Sequence, residues 1–253
     1  MEIEAIILAG AEAGDFDTDG TLLSRSMVKI CDRPMLDWVT EAICKNSYVT
    51  RCCVIGNVET KYADVILEPC ETIVKNIKKC LNEFVCSEYL LLCTSDIPLI
   101  DSDCVTQFIE EAQMTKADFV YPICRKDICI DLYPDLKRTF VKLEDGEFTG
   151  GNIMFMKTDF LRKILPFLEK LFNARKSPIK LSKILGMRVL FKLILSRFNP
   201  KFLDIEYLEK TVSSILGSTV KAVITPYPEL CEDLDKPSEL NAFEEILKKR
   251  RDL

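Results

Sequence analysis

Four short, nearly uninterrupted apolar runs, each ending at a turn residue and spaced by helix-length segments, set the fold of this chain. Ala5-Ile6-Ile7-Leu8-Ala9 runs into Gly10, and Cys52 to Gly56 forms a second run. Tyr89 to Thr94 ends at Ser95-Asp96-Ile97-Pro98, and Phe119 to Ile123 is the fourth. Runs this short that lack polar alternation read as strands buried on both faces, as in a parallel sheet. Between them, Met35, Trp38, Val39, Ala42 and Ile43 fall on one helical face after Arg33-Pro34. Thr72 to Phe84 and a segment capped by Asp101 or Ser102 and running to about Met114 read as the next two helices. This β-α-β-α-β-α-β rhythm predicts an α/β domain with helices on both faces of the sheet.

The second half changes character. Thr139–Leu143 and Glu147–Met156 flank Asp145-Gly146, a hairpin signal. Asp159 to Leu216 reads as helical, so residues 157–217 are expected to form a helical insertion in one domain spanning 1–253. Val220 to Ile224 looks like a returning strand. Pro237 then opens a last helix with Leu240, Phe243, Ile246 and Leu247 inward.

Composition narrows the chemistry. The 253 residues contain no histidine, which removes any Ser-His or Cys-His couple. The 12 cysteines sit in apolar runs without a CxxC pair, so they read as small hydrophobes in a reducing, cytoplasmic setting rather than zinc ligands or a disulfide scaffold. No secretory leader is expected from the acidic Met1-Glu2-Ile3-Glu4 start. Val189–Leu195, broken by Lys192, is too short to span a bilayer. A net charge of −6 argues against bulk nucleic-acid binding. Between Ala174 and Lys201, however, the chain carries eight basic residues and no acid. That run could bind an anionic acceptor or meet a membrane surface, with a solvated helix face as the default. The apolar face from Leu181 to Ile194 is expected to pack on the parent domain or to pair subunits as a homodimer.

The chemistry must therefore come from carboxylates, Lys/Arg, backbone amides or a metal. Asp96 lies just beyond the central apolar run, at the carboxyl ends of the strands where α/β sheets place ligands. A hard oxygen there suits Mg²⁺ beside a triphosphate; the plainer reading is a turn aspartate ahead of Pro98. Asp233 and Asp235 could supply a second metal ligand, while Asp235 is equally placed to cap the last helix. Gly10 could let backbone amides approach phosphate, or simply allow a tight turn. Lys137-Arg138 reads as surface charge.

Taken together, Ala5–Gly10, the run Ser24 to Leu36, Ser95-Asp96-Ile97-Pro98-Leu99 and Asp233 to Leu240 resemble the MobA-like NTP transferases. That family shows LAGG, PKxLLPxxGKPML, ADMPL and DIDTPEDL in the same order. The resemblance implies a Rossmann-like GT-A nucleotidyltransferase fold with a mostly parallel mixed sheet. It also implies Mg²⁺-dependent transfer from a nucleoside triphosphate to a phosphorylated or other small acceptor, with release of pyrophosphate. Leu8, Ala9, Gly10 and Ala11 would hold the nucleotide, and Arg25 stands where the family has its phosphate-stabilising lysine. Asp96 would bind the metal, with Asp235 as second ligand. Thr149-Gly150-Gly151-Asn152 resembles the TGGN acceptor segment of some relatives, which makes Asn152 a substrate contact. Three departures stand out: the first loop lacks the family's arginine and carries Glu12, Asp15, Asp17 and Asp19, arginine replaces lysine at 25, and Asp32 replaces a glycine. Two other readings are a GT-A glycosyltransferase, disfavoured because Thr94-Ser95-Asp96 supplies only one acid, and a non-catalytic nucleotide sensor.

Overall fold

In the computed structural model, which describes residues 2–12, 14–16, 24–174, 177 and 200–251, the apolar runs become the middle of one sheet. β1 (Ile3–Leu8) lies between β4 (Val49–Ile55) and β6 (Tyr89–Thr94), parallel to both, and β5 (Val65–Leu67) extends the parallel side. Side chains alternate across these strands, so each face builds its own core. On one face Ala5, Ile7, Cys52, Val54, Leu91 and Cys93 pack with α1 (Met35–Cys44) and α3 (Ser102–Thr115). On the other, Ile6, Cys53, Ile55, Leu90 and Leu92 pack with α2 (Ile73–Glu83) and α5 (Thr158–Ala174). Thr72 caps α2 through Lys75 N, and Asp101 caps α3 through the amides of Asp103 and Cys104.

Beyond β6 the sheet turns mixed. β10 (Ile153–Lys157) runs antiparallel between β6 and β7 (Phe119–Arg125). β8 (Val141–Leu143) and β9 (Gly146–Gly150) form the hairpin signalled by Asp145-Gly146. β9 pairs with the far end of β7, and the register against β7 slips by two residues between Gly150 and Phe155, leaving Gly151 and Asn152 out of the ladder. β11 (Val220–Thr225) returns parallel to β7 on its other side. Asp118 fixes this junction: one carboxylate oxygen accepts from the amide and hydroxyl of Thr219 at 2.8 and 2.7 Å, and the other from Lys157 at 3.0 Å. Those bonds hold its carboxyl at about 2, below the ordinary value, with the Thr219 hydroxyl the largest cause. Charge-assisted hydrogen bonds contribute about 1.5–3 kcal/mol, so Asp118→Asn should cost about 1–2 kcal/mol at pH 7. A depressed carboxyl stabilises the fold above its unfolded value and loses that contribution as pH falls. Denaturant titrations should therefore show the gap between Asp118→Asn and parent closing as pH drops from 4 toward 2.

The short antiparallel pair β2 (Lys29–Ile30) and β3 (Arg33–Pro34) accounts for one departure from the family pattern. Cys31 and Asp32 form its turn with φ of 53° and 61°, the left-handed region that glycine enters freely and aspartate tolerates. A short helix, α4 (Lys126–Leu132), follows β7 directly; the sequence reading has no element there.

The helical segment expected at 157–217 is described at its two ends, as α5 and as α6 (Ile205–Leu216). Most of the basic run and the Leu181–Ile194 face lie outside the described residues. Among the described residues, no helix is long and apolar enough to cross a membrane. One cysteine expectation changes: Cys44 and Cys52 form a disulfide between the end of α1 and β4, with Cα atoms 5.6 Å apart. Both residues belong to one helix–strand contact, a closeness their separation of eight residues does not reveal.

Candidate active site

The site forms where four loops meet at the carboxyl rim of the parallel strands. β1 and β6 are paired through Leu8 and Thr94, so Gly10 and Asp96, each two residues further on, reach the same rim. The Ser24-Arg25-Ser26 turn is fastened beneath them. Ser24 Oγ donates to the Ala9 and Ala11 carbonyls at 2.9 and 3.2 Å, and Arg25 N donates to the Ala11 carbonyl at 3.1 Å. Ser26 Oγ meets Ser95 Oγ at 2.7 Å. The backbone of Ala9–Ala11 and the base of Arg25 are thus held as one unit with the end of β6. Gly10 also faces α2: a Cβ there would lie 3.1 Å from Asn76 Nδ2.

The third loop is anchored from below. Leu234 is fully buried among Ile30, Met35, Leu99 and Phe243, and its amide donates to the Asp96 carbonyl at 2.8 Å. A buried side chain flanked by two acids turns both acids the other way, which explains the Asp-Leu-Asp spacing. Asp96, Asp233 and Asp235 each offer a carboxylate oxygen within 4.8 Å of the others. The loop is further clamped by Glu229, which accepts from Tyr133 Oη, just past α4, and from Arg250 of the last helix, α7 (Leu240–Arg251). Arg250 also donates to the Leu99 carbonyl at 2.6 Å. Burial pushes the Tyr133 hydroxyl upward, as does its bond to Glu229, so it donates as a neutral phenol.

Two arginines balance the acids. Arg25 Nη2 donates to Asp96 Oδ2 in a close contact, and Nη1 donates to Asp235 Oδ1 at 2.9 Å. Asp235 therefore holds Arg25; the cap position of the Pro237–Glu239 turn that leads into the last helix is Lys236, whose amide donates to Glu239 Oε2 at 3.3 Å. Arg138 pairs closely with Asp233 and stands 3.8 Å from Glu232. Reading Lys137-Arg138 as surface charge is thus corrected for Arg138, whose side chain is only 14% exposed. No local pattern signals this, because the pairing exists only after the 228–236 loop crosses the strand ends. Burial raises the Glu232 carboxyl to about 7, partly offset by Arg138.

Asn152 occupies the fourth side. Its carbonyl accepts from Thr94 N at 3.0 Å and its amide donates to the Leu230 carbonyl at 2.8 Å, locking it between β6 and the 228–236 loop. Its side-chain Nδ2 is buried and has no hydrogen-bond partner among the described residues, and neither has Asp96 Oδ1. Unmet buried polar atoms cost about 1–3 kcal/mol each and mark where a ligand would supply the missing contact. An orphaned carboxylate oxygen beside two further acids fits a hard divalent cation such as Mg²⁺.

Strand order, an acid at the rim of the central strand, and a guanidinium and backbone loop facing it define an α/β nucleotidyltransferase. The chain belongs to the MobA-like NTP transferase domain family, whose model matches residues 5–177. Among solved structures it is similar to a hypothetical transferase from Thermus thermophilus. The two share 30% identity over 95% of this chain and 100% of that one, with a TM-score of 0.83. It also shares its fold with the 2-C-methyl-D-erythritol 4-phosphate cytidylyltransferase from Thermus thermophilus, at 14% identity, 98% and 100% coverage and TM-score 0.57. The same holds for CMP:2-keto-3-deoxy-manno-octonic acid synthetase complexed with CTP, at 11% identity, 99% and 100% coverage and TM-score 0.59. No curated protein matches the sequence.

Proposed function

We propose that this enzyme transfers a nucleotidyl group from a nucleoside triphosphate to a phosphorylated or other small acceptor, releasing pyrophosphate, with Mg²⁺ as cofactor. The observation that carries the reading is the Asp96–Asp233–Asp235 cluster with its orphaned Asp96 oxygen, set beside Gly10 and Arg25. Asp96 and Asp235 would hold the metal. When bound, Mg²⁺ neutralises triphosphate charge and stabilises charge on the departing pyrophosphate.

The chain's own residues supply position and charge. The backbone of Leu8, Ala9, Gly10 and Ala11 holds the nucleotide against β1, and Arg25 takes phosphate charge. Asn152 Nδ2 orients the acceptor, whose oxygen attacks the α-phosphorus as the bond to the β-phosphate breaks and pyrophosphate leaves with that electron pair. Fixing both partners in line supplies much of the acceleration in reactions of this kind.

The test is pyrophosphate release from a panel of NTPs and small phosphorylated acceptors, with Mg²⁺ and with EDTA. The CTP-bound synthetase and the cytidylyltransferase among the structural neighbours make CTP the first nucleotide to try. Release should require both metal and acceptor; nucleotide binding without turnover across the panel would instead favour a sensor. Arg25→Ala should weaken triphosphate binding by about tenfold, the scale of one charge-assisted phosphate contact, as read by calorimetry with Mg²⁺ present. Equal affinity would remove Arg25 from the phosphate site.

A further inference from the structure

Arg25 carries an arrangement that phosphate binding alone does not account for. Its two terminal nitrogens each hold a different carboxylate, Asp96 and Asp235. Those are the two acids assigned above to the metal, and the planar fork of arginine suits such a bridge, whereas a lysine offers one nitrogen. Three carboxylates within 4.8 Å repel unless a cation compensates them. Arg138 is committed to Asp233 and Glu232, so Arg25 compensates the other two. The backbone of Arg25 is pinned through Ala11 and Val28, while its side chain is 20% exposed. A rotation about its side-chain bonds would release both acids without moving the loop.

The geometry points to Arg25 as a placeholder cation that blocks the divalent-metal site until a triphosphate draws its guanidinium away. This rests on the reading that Asp96 and Asp235 ligate the metal. A divalent ion on those oxygens would meet the guanidinium at contact distance, where like charges oppose each other strongly in a partly buried site. The triphosphate gives Arg25 an alternative anion and clears the site. Metal and triphosphate therefore favour each other's binding, a coupling that must be reciprocal. Free metal is held weakly by the nucleotide-free enzyme, and Arg25 serves two anions in turn.

The experiment is titration of the nucleotide-free full chain with Mn²⁺ alone, followed by electron paramagnetic resonance or calorimetry. R25M should bind Mn²⁺ about tenfold more tightly than the parent, and R25Q, which keeps a polar head without charge, should tighten in the same direction. The sign is opposite to the loss of triphosphate affinity expected for the same position, so a merely unfolded site would not produce it. Unchanged or weaker Mn²⁺ binding in both variants would overturn the placeholder role. The double variant D96N/R25M separates the two levels. Weaker Mn²⁺ binding in the double variant than in R25M keeps the metal on Asp96 whichever way R25M compares with the parent. If the double variant binds as tightly as R25M, the metal is not on Asp96 and the site reading itself fails.

Discussion

Asp96→Asn should lower kcat/KM for pyrophosphate release by about three orders of magnitude while the protein stays folded. The substitution keeps the shape of the side chain and one oxygen for Arg25, but removes the charge that a hard cation needs. Losing a preorganised electrostatic partner typically costs a factor of about 10²–10³, and a metal's contribution adds several kcal/mol. Stability should change little. Asp96 Oδ1 already lacks a partner, and the acid stands close to two others, so neutralising it relieves repulsion about as much as it weakens the Arg25 pair. The thermal midpoint should therefore stay within about 3 °C of the parent, the shift that ~1 kcal/mol produces in a domain of about this size. Retained turnover in Asp96→Asn would take this residue out of the reaction. A collapsed midpoint would make its role structural.

Gly151→Ala should do the reverse, damaging fold and site together. A Cβ at this position would lie 2.7 Å from Pro122 Cγ and 2.9 Å from the Leu230 carbonyl. A proline ring and a backbone carbonyl do not step aside as a flexible side chain would. Overpacking of this kind costs about 1–3 kcal/mol. The strain also falls on one particular bond, since Leu230 O accepts from Asn152 N and the Leu230 segment leads into Asp233 and Asp235. Denaturant unfolding should show a loss of about 2–3 kcal/mol. The KM for acceptor should rise in the protein that remains folded. A variant as stable as the parent, with unchanged kinetics, would mean that the Gly150–Asn152 segment has room the geometry does not show.

Much of this architecture is legible in the amino-acid order, for a local reason. Strands buried on both faces must be apolar throughout, so their ends are visible, and the end of the Tyr89–Thr94 run locates Asp96 at the rim without further information. The helix starts at Thr72 and Asp101 are legible because capping uses a side chain next to the amides it satisfies. The hairpin at Asp145-Gly146 is legible because its turn demands special backbone angles; Gly146 has φ of 139°.

What the sequence hides is whatever depends on one distant segment crossing another. The pairing of Arg138 with Asp233 joins two distant stretches of chain through a loop whose path is set by Leu234 and by the Glu229–Tyr133–Arg250 contacts. Asp235 is open to two readings, metal ligand or helix cap, and the partner it has in the structure, Arg25, lies at the other end of the chain. The antiparallel placement of β10 between β6 and β7 is equally non-local. The substitution of Arg for Lys at position 25 reads in sequence as a departure that keeps the charge and alters the geometry. In three dimensions it becomes a two-pronged bridge.

Anomalous diffraction from crystals grown with Mn²⁺ and the non-hydrolysable analogue α,β-methylene-CTP bears most directly on the site. The expected result is a manganese peak about 2.0–2.2 Å from a carboxylate oxygen of Asp96, with the Arg25 guanidinium turned from Asp96 and Asp235 onto the phosphates. A nucleotide seated beside Gly10 with Asp96 still bonded to Arg25, and manganese elsewhere or absent, would contradict it.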